Sequence, residues 1–143
     1  MQIEGVDFFV YEVSDLERSV GFYRDVIGLT HLHTVPERGW AEFEIGTAIL
    51  ALRGPQSGAF YRAKFGTKGG QILREQPWPA KPTPPRAAVA LRIADVRAAV
   101  EKLRARGVLI VQEPFDSDVC HIAGIEDPDG NLIYLHRSHT QWG

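Results

Sequence analysis

The sequence predicts an α+β fold in which two βαβββ modules build a curved, mixed eight-stranded sheet with the helices outside. Three observations carry this expectation. The order of one strand, one helix and three strands can be read twice along the 143 residues, and a repeated supersecondary unit marks a duplicated architecture. Each helix opens at an aspartate and closes at a glycine, Asp15 to Gly28 and Asp95 to Gly107. These residue types satisfy the free N–H groups at a helix start and take the left-handed turn at its end. The remaining runs are short and rich in β-branched and aromatic residues, as strands are.

In the first module, residues 6–13 (Val-Asp-Phe-Phe-Val-Tyr-Glu-Val) read as a strand. Leu16, Val20, Phe22, Tyr23, Val26 and Ile27 then recur at helical spacing. Strands follow at 30–35, 40–45 and 48–52, separated by the turn Pro36-Glu37-Arg38-Gly39 and the tight pair Gly46-Thr47. The second module repeats the order, with a strand at 87–93 and a helix whose stripe is Val96, Ala99, Val100 and Leu103. Strands at 108–112, 120–125 and 132–136 complete it. The run Asp127-Pro128-Asp129-Gly130-Asn131 is acidic, but its proline and glycine mark a turn. One domain is expected over 1–143, with modules at 6–53 and 87–137. The stretch 54–86 is dense in Gly and Pro and reads as a lid or a linker. Its Phe60, Tyr61, Phe65 and Trp78 favour a partly packed lid.

Composition excludes several classes. With 44% hydrophobic and 24% charged residues and a net charge of −2, the chain has no basic excess to hold nucleic acid. Its apolar runs are too short to span a bilayer. The start, Met1-Gln2-Ile3-Glu4, lacks the basic and apolar stretches of a secretion signal. Cys120 is the only cysteine, so no internal disulfide can form and a cytoplasmic location is expected. Cys120 itself reads as a small buried hydrophobe rather than a nucleophile.

Ser14-Asp15-Leu16-Glu17-Arg18-Ser19, followed by Phe22-Tyr23-Arg24-Asp25-Val26-Ile27-Gly28-Leu29, resembles the first helix of the vicinal oxygen chelate superfamily. That superfamily includes glyoxalase I, extradiol dioxygenases, and fosfomycin- and bleomycin-resistance proteins. Ile93-Ala94-Asp95-Val96, Leu103-Arg104-Ala105-Arg106-Gly107-Val108 and Glu126-Asp127-Pro128-Asp129-Gly130-Asn131-Leu132-Ile133 resemble it equally. The likeness covers the chain outside the long loop and implies the glyoxalase/bleomycin resistance fold, which hosts many chemistries. Metal-dependent members carry His or Glu ligands at four points on the inner sheet face. Carried over by motif, those points fall on Phe8, Ala51, Ala88 and Tyr134. Only the phenol oxygen of Tyr134 offers a donor, and a weak one, so no metal and no other cofactor is expected there.

Strand alternation supplies another guide to the inner face. A two-residue hairpin at Gly46-Thr47 sets Glu44 against Ile49, Glu42 against Ala51 and Trp40 against Arg53. Val35 opposite Trp40 then pairs His33 with Glu42 and His31 with Glu44. In the second module, Glu126 opposite Asn131 places His121 against His136 and Ala123 against Tyr134. Phe8, Val10 and Glu12 share one side of the first strand, and Ala88, Ala90 and Arg92 one side of the fifth. The expected cup has an apolar floor with a few polar groups, as small-molecule sites do.

Duller readings stand beside these. His31 and Glu44 read as an exposed cross-strand pair worth about 0.2–1 kcal/mol. Glu12 with Arg92 reads as a salt bridge between the modules. His139, in a polar tail, is given no role. Three functions stay open. One is a binding protein that holds a hydrophobic or aromatic small molecule against Phe8, Val10, Glu12, Trp40, Ala51, Arg53, Ala88, Arg92 and Tyr134; the resemblance implies a homodimer. Another is a metal-independent lyase or isomerase with His121 or His136 as general base and Arg53 or Arg92 holding an oxyanion. The third keeps a displaced metal at His33 and Glu42, with or without His31.

Overall fold

A computed structural model describes residues 2, 4, 7–65, 87–116 and 120–139. The chain divides into two compact units, Met1–Ala80 and Lys81–Gly143, and each holds one βαβββ repeat. The first comprises β1 (Phe8–Glu12), α1 (Leu16–Gly21), β2 (Thr30–Val35), β3 (Trp40–Ile45), β4 (Ala48–Arg53) and α2 (Gln56–Phe65). The second comprises β5 (Val89–Arg92), α3 (Val96–Ala105), β6 (Ile110–Asp116), β7 (Cys120–Glu126) and β8 (Leu132–Ser138). The eight strands hydrogen-bond as two open four-stranded mixed sheets, ordered β1-β4-β3-β2 and β5-β8-β7-β6. In each, the first strand lies parallel to the last and the other pairings are antiparallel. The helix between first and second strands is the crossover that such a parallel pair needs.

The caps are those expected. Asp15 accepts a hydrogen bond from the Arg18 amide at 3.0 Å, and Asp95 one from the Ala98 amide at 3.0 Å. Gly28 and Gly107 end the helical segments at φ of 85° and 79°, a region costly for residues with a Cβ. The first helix changes character midway: Phe22–Ile27 is a wider π-helical segment. It carries Tyr23 fully into the core, with its ring centroid 5.9 Å from that of Phe43.

One face of each sheet is apolar and covered. In the first unit Tyr11, Ala41, Phe43, Leu50 and Leu52 are buried, together with Leu16, Val20 and Tyr23 of the helical segment. In the second, Val89, Ala123, Ile125, Ile133 and Leu135 are buried, as are Val96, Val100 and Leu103 of α3. Each large apolar side chain so removed from water contributes about 1.5–3 kcal/mol. This burial fixes which face of each sheet the helix of its own unit packs against.

Four features depart from the sequence expectations. The β7–β8 register pairs Glu126 with Leu132, so His121 opposes Arg137 and His136 opposes Ile122. The cause is the turn: the Asp127 carboxylate accepts from the amides of Asp129 and Asn131 and from the Asn131 side chain, at 2.8–2.9 Å. Asn131 is thereby held in the loop rather than in the ladder. In β2 an irregularity between His31 and His33 sets His31 opposite Phe43, and Thr30 takes the place opposite Glu44. β6 runs on past Pro114 to Asp116, which an outer strand tolerates because one row of its amides needs no partner. Within the expected lid, Gln56–Phe65 is a helix, starting directly after Pro55, whose fixed φ suits a helix start. Its Phe60 ring lies 5.5 Å from the Arg38 guanidinium carbon. Residues 66–86, with Trp78, lie outside the described residues, as do the side chains of Tyr61 and Phe65.

Candidate functional site

The face of the first sheet opposite its helix is built by alternation from four strands. Phe8, Val10 and Glu12 of β1 stand beside Ile49, Ala51 and Arg53 of β4. Trp40, Glu42 and Glu44 of β3 stand opposite Arg53, Ala51 and Ile49, and β2 adds Val35 and His33 opposite Trp40 and Glu42. The hairpin register is the expected one throughout. Ala51 is fully buried at the centre, whereas Phe8 and Val10 are 53% and 38% exposed. Phe8 meets Trp40 edge-to-face, centroids 5.9 Å apart at 86°, an arrangement that suits the ring quadrupoles.

Polar groups frame this apolar patch in a definite way. The Trp40 indole N–H donates to Glu42 Oε1 at 2.7 Å, which fixes the ring plane. His33 Nε2 lies 3.6 Å from the other Glu42 oxygen, with its side chain half exposed. The Arg53 guanidinium donates to Glu12, its neighbour across the β1–β4 pair. Only 18% of the Arg53 side chain and 28% of that of Glu12 are exposed. Replacing Arg53 with Met is therefore expected to cost about 1–2 kcal/mol, as a charged hydrogen bond is lost from a partly screened position. Urea unfolding measures this, and Glu12→Gln in the same background should recover part of it. Additive losses would show that the two residues do not act as a pair.

His31 lies on the other face, its ring against Phe43 at 5.2 Å and its Nε2 2.7 Å from Thr34 Oγ1. It cannot join His33 and Glu42, and no cluster of three donors forms around that pair among the described residues. Of the displaced metal site, His33 and Glu42 stand together, and His31 does not join them.

In the second sheet, Ala90 and Arg92 stand beside Tyr134 and His136, with Gly124 and Ile122 across β7. Ala88 precedes β5, and Arg92 is exposed. His121, one residue out of the expected register, shares the opposite face with Arg137, Ala123 and Leu135. The two histidines are therefore not brought together. His121 instead places Nε2 2.7 Å from Asp116 Oδ2, and His139 places its own 2.9 Å from Asp116 Oδ1. Hydrogen bonds from His139 and then His121 hold the Asp116 carboxyl below the usual carboxylate range. Neither Asp116 nor His139 is marked by the sequence pattern: Pro114 reads as a strand end, and the tail beyond residue 136 reads as loop.

Known proteins place this architecture. The sequence model of the Glyoxalase/Bleomycin resistance protein/Dioxygenase superfamily matches residues 5–135. The chain belongs to this superfamily. It is 28% identical to a lactoylglutathione lyase of Haemophilus influenzae, covering 92% of this chain and 91% of that one. A glyoxalase/bleomycin resistance protein/dioxygenase from Nocardioides superposes with a TM-score of 0.68 at 25% identity, over 100% of this chain and 92% of its own. An antibiotic binding protein from Streptomyces gives 0.68 at 26% identity, over 96% and 98%. The glyoxalase/bleomycin resistance fold expected from the sequence is thus the fold observed.

Within the superfamily the four positions matched to metal ligands can now be placed. Phe8 and Ala51 share the face of the first sheet opposite its helix, two residues out of step along the parallel β1–β4 pair. Tyr134 lies on the corresponding face of the second, beside Ala90. A phenyl ring and two methyl groups have no lone pair to give a cation, and a single phenol does not make a divalent site. At the positions that the resemblance matches to metal ligands, these side chains are a poor donor set for a divalent ion.

Proposed function

We propose that this superfamily member is a small-molecule binding protein that takes a hydrophobic or aromatic ligand on the face of its first sheet opposite the helix. The observation that carries this reading is the edge-to-face pair of Phe8, 53% exposed, and the half-buried Trp40, on the sheet face that also carries Ala51. Large apolar side chains left in water beside a few oriented polar groups are what a ligand surface requires. Trp40 offers a flat face for stacking, held in place by Glu42. Arg53 and Glu12 supply directional contacts at the end of the same strands. The likeness to an antibiotic binding protein supports the same class of ligand. Ala88, Arg92 and Tyr134 of the second module extend the reading to a face that also carries His136. A cytoplasmic homodimer belongs to the same proposal, and light scattering checks its stoichiometry. No described helix is long and apolar enough to cross a membrane.

Calorimetry against a panel of aromatic antibiotics and metabolites tests the proposal. At least one member should bind with 1:1 stoichiometry per chain, and Trp40→Ala should weaken it by about 10- to 100-fold, as loss of an aromatic anchor does. A panel without binders, or binding unchanged in Trp40→Ala, overturns it. Lactoylglutathione lyase activity, the function named for the curated relatives, is expected to be absent even with added zinc or nickel, because Phe8, Ala51, Ala88 and Tyr134 offer no donor beyond one phenol oxygen. Turnover above the blank would contradict this.

A further inference from the structure

The second module brings together a set of donors that the ligand face does not use. Asp116 at the end of β6, His121 near the start of β7 and His139 just past β8 come from three separate segments. One ligand atom from each lies within 4.8 Å of the others. Both imidazoles present Nε2 to the same carboxylate, one to each of its oxygens. The rings stand nearly perpendicular, at 80° with centroids 4.8 Å apart, so neither stacks over the other's lone pair. Two imidazoles and a carboxylate form a donor set that favours zinc and its first-row neighbours over magnesium or calcium, which prefer all-oxygen shells.

We infer that Asp116, His121 and His139 form a binding site for a divalent transition-metal ion. Ligand atoms around tetrahedral zinc, at about 2.0–2.1 Å from the metal, lie about 3.3 Å from one another. No separation exceeds 4.8 Å, so the longest needs to close by at most about an ångström and a half, while the imidazole–carboxylate contacts of 2.7 and 2.9 Å open slightly, which side-chain rotation at a half-exposed site supplies. Side-chain exposures of 34% for His121, 37% for His139 and 51% for Asp116 leave the fourth position to water, as in open rather than purely structural zinc sites. Arg137, opposite His121 on the same face, is exposed, and its long stem lets the guanidinium stay in water away from a cation. The site sits on the opposite sheet face from Tyr134, so it is distinct from the position matched to the superfamily's metal. It is independent of the ligand reading above, since it involves none of Phe8, Trp40 or Arg53.

Zinc titration of tag-free protein, with a chromophoric chelator as competitor, tests the inference. One equivalent should bind, and His121→Ala with His139→Ala should weaken it by at least about 100-fold, since even groups behind a ligand cost 10- to 100-fold. His33→Ala, on the other module, should leave the affinity unchanged. In wild-type protein, nitrogen NMR should show the Nε2 resonances of His121 and His139 moving on zinc addition while those of His31, His33 and His136 stay. This measurement does not depend on any variant folding, and Asp116→Asn gives a milder second variant. Absence of a stoichiometric site, zinc binding that survives the double substitution, or Nε2 shifts at other histidines only, overturns the inference.

Discussion

Phe43→Ala is expected to remove about 3–5 kcal/mol of stability, the usual cost of emptying a large aromatic position in a packed core. Phe43 is fully buried. Its ring contacts Tyr23 of the π-helical segment at 5.9 Å and His31 of β2 at 5.2 Å, and it stands opposite Leu50 across the β3–β4 pair. It therefore links helix, outer strand and central strands of one module. A loss of that size is a large fraction of the 5–15 kcal/mol that separates folded from unfolded states in ordinary domains. Urea unfolding followed by circular dichroism measures it. A change below about 1 kcal/mol would mean that the site collapses around the truncated side chain and that Phe43 does not hold the helix against the sheet.

Gly39→Ala is the second large effect, and it bears on the ligand face directly. Gly39 has a φ of 60°, and a Cβ added there would lie 2.6 Å from the Ser57 amide nitrogen and 3.1 Å from the Gly54 carbonyl oxygen. Those atoms are backbone, so the chain at the start of α2 must move. The left-handed conformation alone costs a residue with a Cβ about 1–2 kcal/mol, and the displacement should bring the total to about 2–3 kcal/mol. Gly28→Ala provides the control: its φ is 85°, but an added Cβ meets nothing within 4 Å, so only the conformational part should appear. Equal losses at the two glycines would show that the contact with α2 carries no strain. Because Gly39 directly precedes Trp40, amide shifts in NMR spectra of Gly39→Ala should reach Trp40 as well as Ser57. Ligand affinity should fall with them.

Both effects rest on parts of the molecule that the sequence describes unequally. The element types are written locally. Asp15 and Asp95 cap helices because a short side-chain oxygen beside the first free amides stabilises that start and no other. Gly46-Thr47 joins β3 to β4 as a tight hairpin, and with that register Trp40, Glu42, Ala51 and Arg53 fall on one face. Duplication of the unit, and with it the superfamily, is equally local information. So is the identity of the side chains at the positions matched by resemblance to metal ligands, Phe8, Ala51, Ala88 and Tyr134, of which only the tyrosine carries an oxygen.

Relative offsets between segments are another matter, because side chains alternate with a period of two and a shift of one residue exchanges the faces. In β7 and β8 both faces mix apolar and polar residues, so the pattern alone does not choose between Asn131 in the ladder and Asn131 in the turn. The Asp127 carboxylate makes that choice by holding the amides of Asp129 and Asn131. That choice separates His121 from His136 and delivers His121 to Asp116. The irregularity in β2 likewise turns His31 onto Phe43 and away from His33. The sequence by itself thus determined the elements, their order and the superfamily. Only the tertiary structure decided which histidines meet which carboxylates, since hydrogen bonds within turns and bulges set strand offsets and no one-dimensional pattern records them.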